Sequence, residues 1–188
     1  KDGRVKLVAF TGSKDVGLSL LGSSVSLANA KGHIQKIIAE MGGKNAIIVD
    51  DGADLDLAIS GIIDSAFGFQ GQKCSACSRV FVHKSCAPTL IRRLKEAVVS
   101  IEVGPSTDPK NMVSAVIDQE SADRLNKILE QATKDGATLT SGSIPQNYST
   151  SRYIPPTMIT NLPDSSSIWN TELFGPIFAL RVCDSIDE

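Results

Sequence analysis

Apolar positions along this chain follow two rhythms, short continuous runs and spaced helical stripes. Residues 6–10 read as a short buried strand. A turn with Gly12 and Gly17 follows, and residues 18–31, rich in Ser, Leu and Ala, are predicted as a helix capped by Ser13 or Asp15. Residues 34–39 give a second strand that leads to Glu40. Strand, glycine turn, helix and strand make a βαβ unit, which implies a parallel sheet.

The alternation continues downstream. Residues 45–49 read as a third strand, closed by the acidic turn Asp50-Asp51-Gly52. Asp54 is placed to cap a helix whose apolar face is Leu55, Ile59, Ile62, Ile63 and Ala66, ending at Gly68 and Gly71. A strand over 79–83 comes after a cysteine-bearing loop. Leu90, Ile91, Leu94 and Val98 mark one further helix, and Leu125, Ile128, Leu129 and Ala132 another, with Gly136 in the C-terminal cap position. Residues 141–151 form a loop-like patch of Ser, Gly, Asn and Thr, too short for a domain linker. Strands alternating with helices predict an α/β fold.

Composition narrows the function. The 188 residues are 41% hydrophobic and 21% charged, an ordinary globular balance. With 19 basic and 21 acidic residues the net charge is −2, which leaves no electrostatic footprint for nucleic acid or an anionic membrane. No apolar run approaches the roughly 20 residues that cross a bilayer. Cys74, Cys77, Cys86 and Cys183 are expected to be reduced thiols in a cytosol-like compartment, because a chain of this length needs no disulfide staples. The chain opens on Lys1 without a signal peptide, and it is expected to be a segment of a longer protein.

The candidate chemistry sits between residues 40 and 79. Glu40 precedes Met41, Gly42 and Gly43, and Cys74 follows Gly71, Gln72 and Lys73. A nucleophilic thiol needs a partner that manages protons, and a carboxylate can be one. Lys73 beside Cys74 favours the reactive thiolate. The plainer readings are a solvated Glu at a strand end and a buried packing thiol. A metal reading also competes, since Cys74, Cys77, His83 and Cys86 form a nominal zinc set. Against it, the residues are divided between a strand and the start of a helix. His33, in a turn, has no role assigned.

Two further patterns carry chemistry. Phe10-Thr11-Gly12-Ser13 with Val16 and Gly17 lies at a strand-to-helix turn, where backbone N–H groups and the positive helix end favour a phosphate. Many such turns hold two glycines and bind nothing. Glu172-Leu173-Phe174-Gly175-Pro176 reads either as loop punctuation or as a ligand-facing turn.

Taken together, these motifs resemble the aldehyde dehydrogenase superfamily. Further matches are Val103-Gly104-Pro105 with Asp108-Pro109, Arg152-Tyr153-Ile154 with Pro156-Thr157, and Asp135-Gly136-Ala137, so the similarity covers essentially the whole chain. The resemblance implies a three-layer α/β fold with a parallel sheet. Residues 1–39 would be the C-terminal part of a Rossmann-like NAD-binding domain, and 40–188 a catalytic domain truncated at its C-terminal end. It implies Cys74 as nucleophile and Glu40 as the base that activates the deacylating water. It implies NAD as cofactor, with NADP open, contacted by Gly12, Ser13, Val16, Gly17, Met41, Gly42, Glu172 and Phe174. No metal ligand is implied.

Within that family, the stretch from Ser65 to Arg79 most resembles the Δ1-pyrroline-5-carboxylate dehydrogenase branch, in some bacteria one half of a bifunctional proline-utilisation protein. That branch oxidises glutamate γ-semialdehyde to glutamate, and Lys73 and Ser75 would orient the polar end of that substrate. The implied parent is a cytoplasmic homo-oligomer, or a matrix enzyme in a eukaryote. Another aldehyde as substrate, an acyl-phosphate reductase, and a non-catalytic zinc-stabilised or interaction module are the alternatives. The second oxyanion donor of the family, an asparagine, falls upstream of residue 1, and the 188 residues alone are expected to turn over weakly or not at all.

Overall fold

The computed structural model describes residues 4–31, 34–148 and 152–185. His33 lies outside them, and the polar patch at 141–151 is described only to residue 148. The chain divides into two compact units, Lys1–Gly43 and Lys44–Glu188.

In the first unit, β1 (Leu7–Gly12) pairs in parallel with β2 (Lys36–Met41), in a register running from Leu7 opposite Lys36 to Gly12 opposite Met41. The helix between them, α1 (Lys14–Lys31), starts four residues before the predicted position. Its cap explains why. Ser13 Oγ accepts from the Val16 N–H at 3.4 Å, and the Gly17 N–H donates to the Ser13 carbonyl at 3.0 Å, so the helical ladder begins at once. Gly17 is buried, and a Cβ there would lie 2.5 Å from Met41 Sδ. The βαβ unit therefore closes through a glycine seated on the last side chain of β2. That strand runs two residues beyond its predicted end, so Glu40 lies within it.

The second unit is a five-stranded sheet between helices. Its order is β3 (Asn45–Val49), β4 (Cys77–His83), β7 (Ile177–Cys183), β6 (Thr157–Thr160) and β5 (Thr138–Ser141). All pairings are parallel except β5 with β6, which is antiparallel. Helices α2 (Leu55–Phe67) and α3 (Ala87–Val99) cover one face, where Ile62, Phe67, Leu90 and Leu94 pack on Val80, Val82, Met158 and Phe178. The Phe67 and Phe178 rings meet at 5.6 Å between centroids. Helix α4 (Gln119–Lys134) covers the other face, with Leu125 and Ala132 against Ile159, Ile177 and Ala179. The result is a three-layer α/β arrangement. Each fully buried Leu or Ile contributes about 1.5–3 kcal/mol of transfer free energy.

Helix ends follow the chemistry of their residues. Asp54 caps α2, accepting from the Asp56 and Leu57 N–H groups at 2.8 and 3.2 Å. Gly136, at φ +87°, takes the left-handed position after α4. Strand β4 begins at Cys77, two residues before the predicted start. Asn45 pairs with Cys77 but Ala46 with Arg79, so the register slips by one residue where β4 leaves the cysteine loop.

Candidate active site

The segment leading to Cys74 is built on unusual backbone. After α2, Phe69, Gln70 and Gly71 adopt φ of 56°, 58° and 63°, three consecutive residues in the left-handed region. Two of the three carry side chains that disfavour it, a conformation seen where the surrounding structure over-determines the chain. What enforces it is close packing. A Cβ on Gly71 would overlap the Gly175 carbonyl oxygen and lie 2.7 Å from the Ala66 carbonyl oxygen. The cysteine loop and the loop carrying Glu172 and Phe174 are thus pressed together, backbone on backbone.

Beyond Gly71 the chain is held on both sides. Gln72 Oε1 accepts from the Ile117 N–H at 2.9 Å. The Ala76 N–H donates to the Lys73 carbonyl at 3.1 Å and closes a turn across Cys74 and Ser75. From β3, Asn45 Nδ2 donates to the Cys74 carbonyl at 2.6 Å and to the Ala76 carbonyl at 3.3 Å. Ser78 Oγ returns a bond to the Asn45 carbonyl at 3.2 Å, and the Arg79 guanidinium donates to the Lys44 carbonyl. Lys73, Cys74 and Ser75 are all exposed at this turn, with Lys73 Nζ reaching back over Gly68.

The four cysteines differ sharply. Cys74 is exposed and Cys77 buried; Cys86 and Cys183 are intermediate. Burial pushes the Cys77 thiol up to about 11, only partly offset by hydrogen bonds with the backbone at Arg79 and Ile47 and by the nearby Lys44. Its Sγ is turned to the Arg79 carbonyl at 3.3 Å. Cys77 is therefore a neutral packing thiol, and Cys74 is the sulfur open to a reagent. The Cys86 thiol faces the His83 carbonyl at 3.4 Å, and His83 Nδ1 bonds Ser85 Oγ at 2.7 Å. Among the described residues no three His, Cys, Asp or Glu side chains are gathered to hold a metal ion.

Behind the loop sits a group the sequence pattern did not single out. Lys44 Nζ is buried and has no hydrogen-bond partner among the described residues. Its pKa falls to about 8, first through burial and then through the Arg79 charge, with Cys77 and Glu172 pulling it back upward. Arg124 was missed for a similar reason. From α4 its Nη1 donates to the Leu173 carbonyl at 2.6 Å and holds the Glu172–Phe174 loop. Neither role leaves a local signal, because both partners are distant carbonyls or charges. Glu172 borders an open cavity of about 730 Å³ together with Arg124, Lys127 and Thr171. Phe174 is exposed and held at φ 49°.

The remaining candidates lie in the first unit. Gly12, Ser13 and Val16 are exposed at the start of α1, where the first N–H groups of a helix lack intrahelical partners. Met41 packs beneath Gly17. Gly42 follows β2, and Glu40, opposite Thr11 in the β1–β2 register, is on the exposed face of its strand with Lys36 and Ile38. The structure thus gathers Lys73, Cys74 and Ser75 on one turn and Glu172 and Phe174 on a neighbouring loop. It places Gly12, Ser13, Val16, Gly17, Glu40, Met41 and Gly42 in the other unit.

Comparison with known proteins gives the same picture at the level of family. A family model described as "Aldehyde dehydrogenase family" matches residues 1–188. The 1-pyrroline-5-carboxylate dehydrogenase 1 of Halalkalibacterium halodurans is 36% identical over 184 residues, 98% of this chain and 35% of that protein. Among solved structures, proline utilization A from Bdellovibrio bacteriovorus superposes with a TM-score of 0.89 at 39% identity, over 97% of this chain and 19% of that one. The 1-pyrroline-5-carboxylate dehydrogenase from Thermus, solved with bound NAD, gives 0.86 at 31% identity, over 97% and 35%. The chain spans about a third of the length of the curated relatives it matches. No described helix is long and apolar enough to cross a membrane.

Proposed function

The chain belongs to the aldehyde dehydrogenase family, a family of oxidoreductases, and on that premise we propose that the whole protein oxidises glutamate γ-semialdehyde to glutamate with NAD in proline breakdown. The observation that carries this reading is the contrast between Cys74, exposed on a doubly held turn, and Cys77, buried and neutral three residues on. The names of the relatives supply the substrate.

The chain's own residues perform the steps as follows. The Cys74 thiolate attacks the aldehyde carbon, forming a C–S bond while the carbonyl electron pair moves to oxygen. The Cys74 N–H donates to that oxyanion, and preorganised donors of this kind are worth several kcal/mol in the transition state. A nicotinamide, when bound, would supply the acceptor for the hydride that leaves this carbon as the oxygen electron pair re-forms the carbonyl. The acyl group then remains on Cys74 as a thioester. Glu40 takes a proton from a water whose oxygen adds to the acyl carbon; the C–S bond breaks and Cys74 departs as thiolate, releasing the acid. Lys73 and Ser75 orient the polar end of the substrate.

The residues present fit a dinucleotide. The exposed start of α1 offers the Lys14 and Asp15 N–H groups, which lie ahead of the Ser13 cap bonds, and the positive end of the helix dipole to a pyrophosphate. Gly12, Ser13, Val16 and Gly17 would hold that end, with Met41 and Gly42 beside them. Glu172, a carboxylate at the edge of that cavity, fits hydroxyl groups of a ribose, and the exposed Phe174 ring fits the edge of a flat heterocycle. Residues 1–39 would then belong to the nucleotide-binding domain and 40–188 to the catalytic domain.

Steady-state assay of the full-length protein with NAD tests the reading, pyrroline-5-carboxylate being compared with short aliphatic and betaine aldehydes. The expected result is the highest kcat/KM for pyrroline-5-carboxylate, abolished by Cys74→Ala with NAD binding retained. Glu40→Gln should give a burst of reduced cofactor followed by slow turnover. Preference for another aldehyde would replace the substrate, and full activity in Cys74→Ala would remove the mechanism.

A further inference from the structure

We propose that Asn45 is a positioning residue for the nucleophile, a role that rests on the reading of Cys74 given above. Its side-chain amide bridges two carbonyls of one turn, Cys74 at 2.6 Å and Ala76 at 3.3 Å, from a strand 29 residues earlier in the chain. Both contacts use donors on the same nitrogen, and an amide N–H₂ has two to give.

The consequence follows from peptide geometry. A trans peptide carries its N–H opposite its C=O. With the Cys74 carbonyl fixed on Asn45, the Ser75 N–H must point away from β3. With the Lys73 carbonyl turned in to the Ala76 N–H at 3.1 Å, the Cys74 N–H must point away from the turn. Both peptide planes flanking the Cys74 Cα are therefore set, one by Asn45 and one by the turn. Among the described residues neither of these two N–H groups has a hydrogen-bond partner. They remain available as fixed dipoles beside the sulfur, placed to receive a developing oxyanion.

Asn45 is itself anchored. It opens β3, its carbonyl accepts from Ser78 Oγ at 3.2 Å, and the neighbouring Lys44 carbonyl accepts from Arg79. These backbone bonds survive any side-chain substitution at position 45. An isosteric Asn45→Asp change therefore keeps the strand anchored while replacing two donors by acceptors that repel the two carbonyls.

Asn45→Asp and Asn45→Ala in the full-length protein test the proposal by two readouts. The first is the pH profile of Cys74 alkylation by iodoacetamide, followed by peptide mass. The profile should differ from wild type in both variants, since the two N–H groups beside the sulfur are no longer held in place. The second is steady-state kinetics, where kcat should fall about tenfold or more while KM for NAD and for aldehyde stays within about twofold. A variant with the wild-type alkylation profile, or with raised KM and intact kcat, overturns the role. If Asn45→Ala does not fold, Asn45→Asp decides alone. A wild-type protein inactive towards every aldehyde, or a fully active Cys74→Ala, defeats the proposed function, yet the alkylation profile still decides whether Asn45 governs the sulfur.

Discussion

The backbone of Gly71 lies directly against the carbonyl of Gly175, so that no side chain fits between them. This contact ties the loop that bears Cys74, three residues on, to the loop that bears Glu172, three residues back. Gly175 in turn rests on Leu125 of α4, where a Cβ would strike the Leu125 side chain. Two segments a hundred residues apart in sequence are thereby locked in one arrangement by the absence of two side chains.

Gly71→Ala should be among the most damaging single changes in the second unit. It places a side chain at φ +63° and drives it into backbone atoms that have nowhere to move. The expected cost is on the order of 3 kcal/mol or more. Urea unfolding measures it, and a midpoint equal to wild type would contradict the packing described.

Thiol labelling should separate the cysteines. In the native protein at pH 8, iodoacetamide should modify Cys74 first, while Cys77 stays unmodified until denaturant is added. Peptide mapping over time reads the order directly. Native labelling of Cys77 at a rate comparable to Cys74 would show that its burial is not as described.

Lys44 makes stability depend on pH in a direction set by its lowered pKa. Below about 8 both folded and unfolded chains carry the proton, and the folded state bears the full penalty of a buried cation with no hydrogen-bond partner among the described residues. Above about 8 the folded chain releases it, while the unfolded chain holds it to near 10.5, so stability climbs across that interval. Lys44→Met should therefore stabilise the protein at pH 7 by on the order of 3 kcal/mol, with the advantage shrinking as pH rises towards 10. Denaturant melts of both proteins at pH 7, 8, 9 and 10 give the difference. An advantage that grew with pH would reverse the sign of the argument.

Arg124→Met should release the Leu173 carbonyl, a group in a residue that is 1% exposed. Leaving that carbonyl without its charged donor should cost about 1–3 kcal/mol. Thermal melting checks the stability, and NAD binding by quenching of protein fluorescence checks whether the Glu172–Phe174 loop has shifted. No change in either would mean the bond holds nothing in place.

Much of this molecule was legible residue by residue. Helices α2, α3 and α4 announced themselves because their apolar side chains recur at helical spacing and Asp54 supplies a local cap. Strand β3 was bounded correctly because its run is short, apolar and closed by an acidic turn. The family was readable as well, since its motifs are contiguous in the chain.

Strands β5, β6 and β7 were not. In β6 all four residues are buried although two are threonines, whose hydroxyls are satisfied from elsewhere: Thr157 by Ser141 at 2.9 Å and the Pro155 carbonyl, Thr160 by the Thr138 carbonyl at 3.4 Å. A polar residue reads as surface until its distant partner is known. Strand β7 lies between β4 and β6 and its first four residues are buried on both faces, so that stretch shows no alternation for a reader to find. The same holds for the site. Cys74 stood out as a candidate through its neighbours in sequence; that it is exposed while Cys77 is buried, and that Asn45 grips its carbonyl, came only from strands meeting across the fold. Composition and spacing record what each residue offers, whereas hydrogen bonds and burial depend on which groups the folded chain brings within three ångströms of one another.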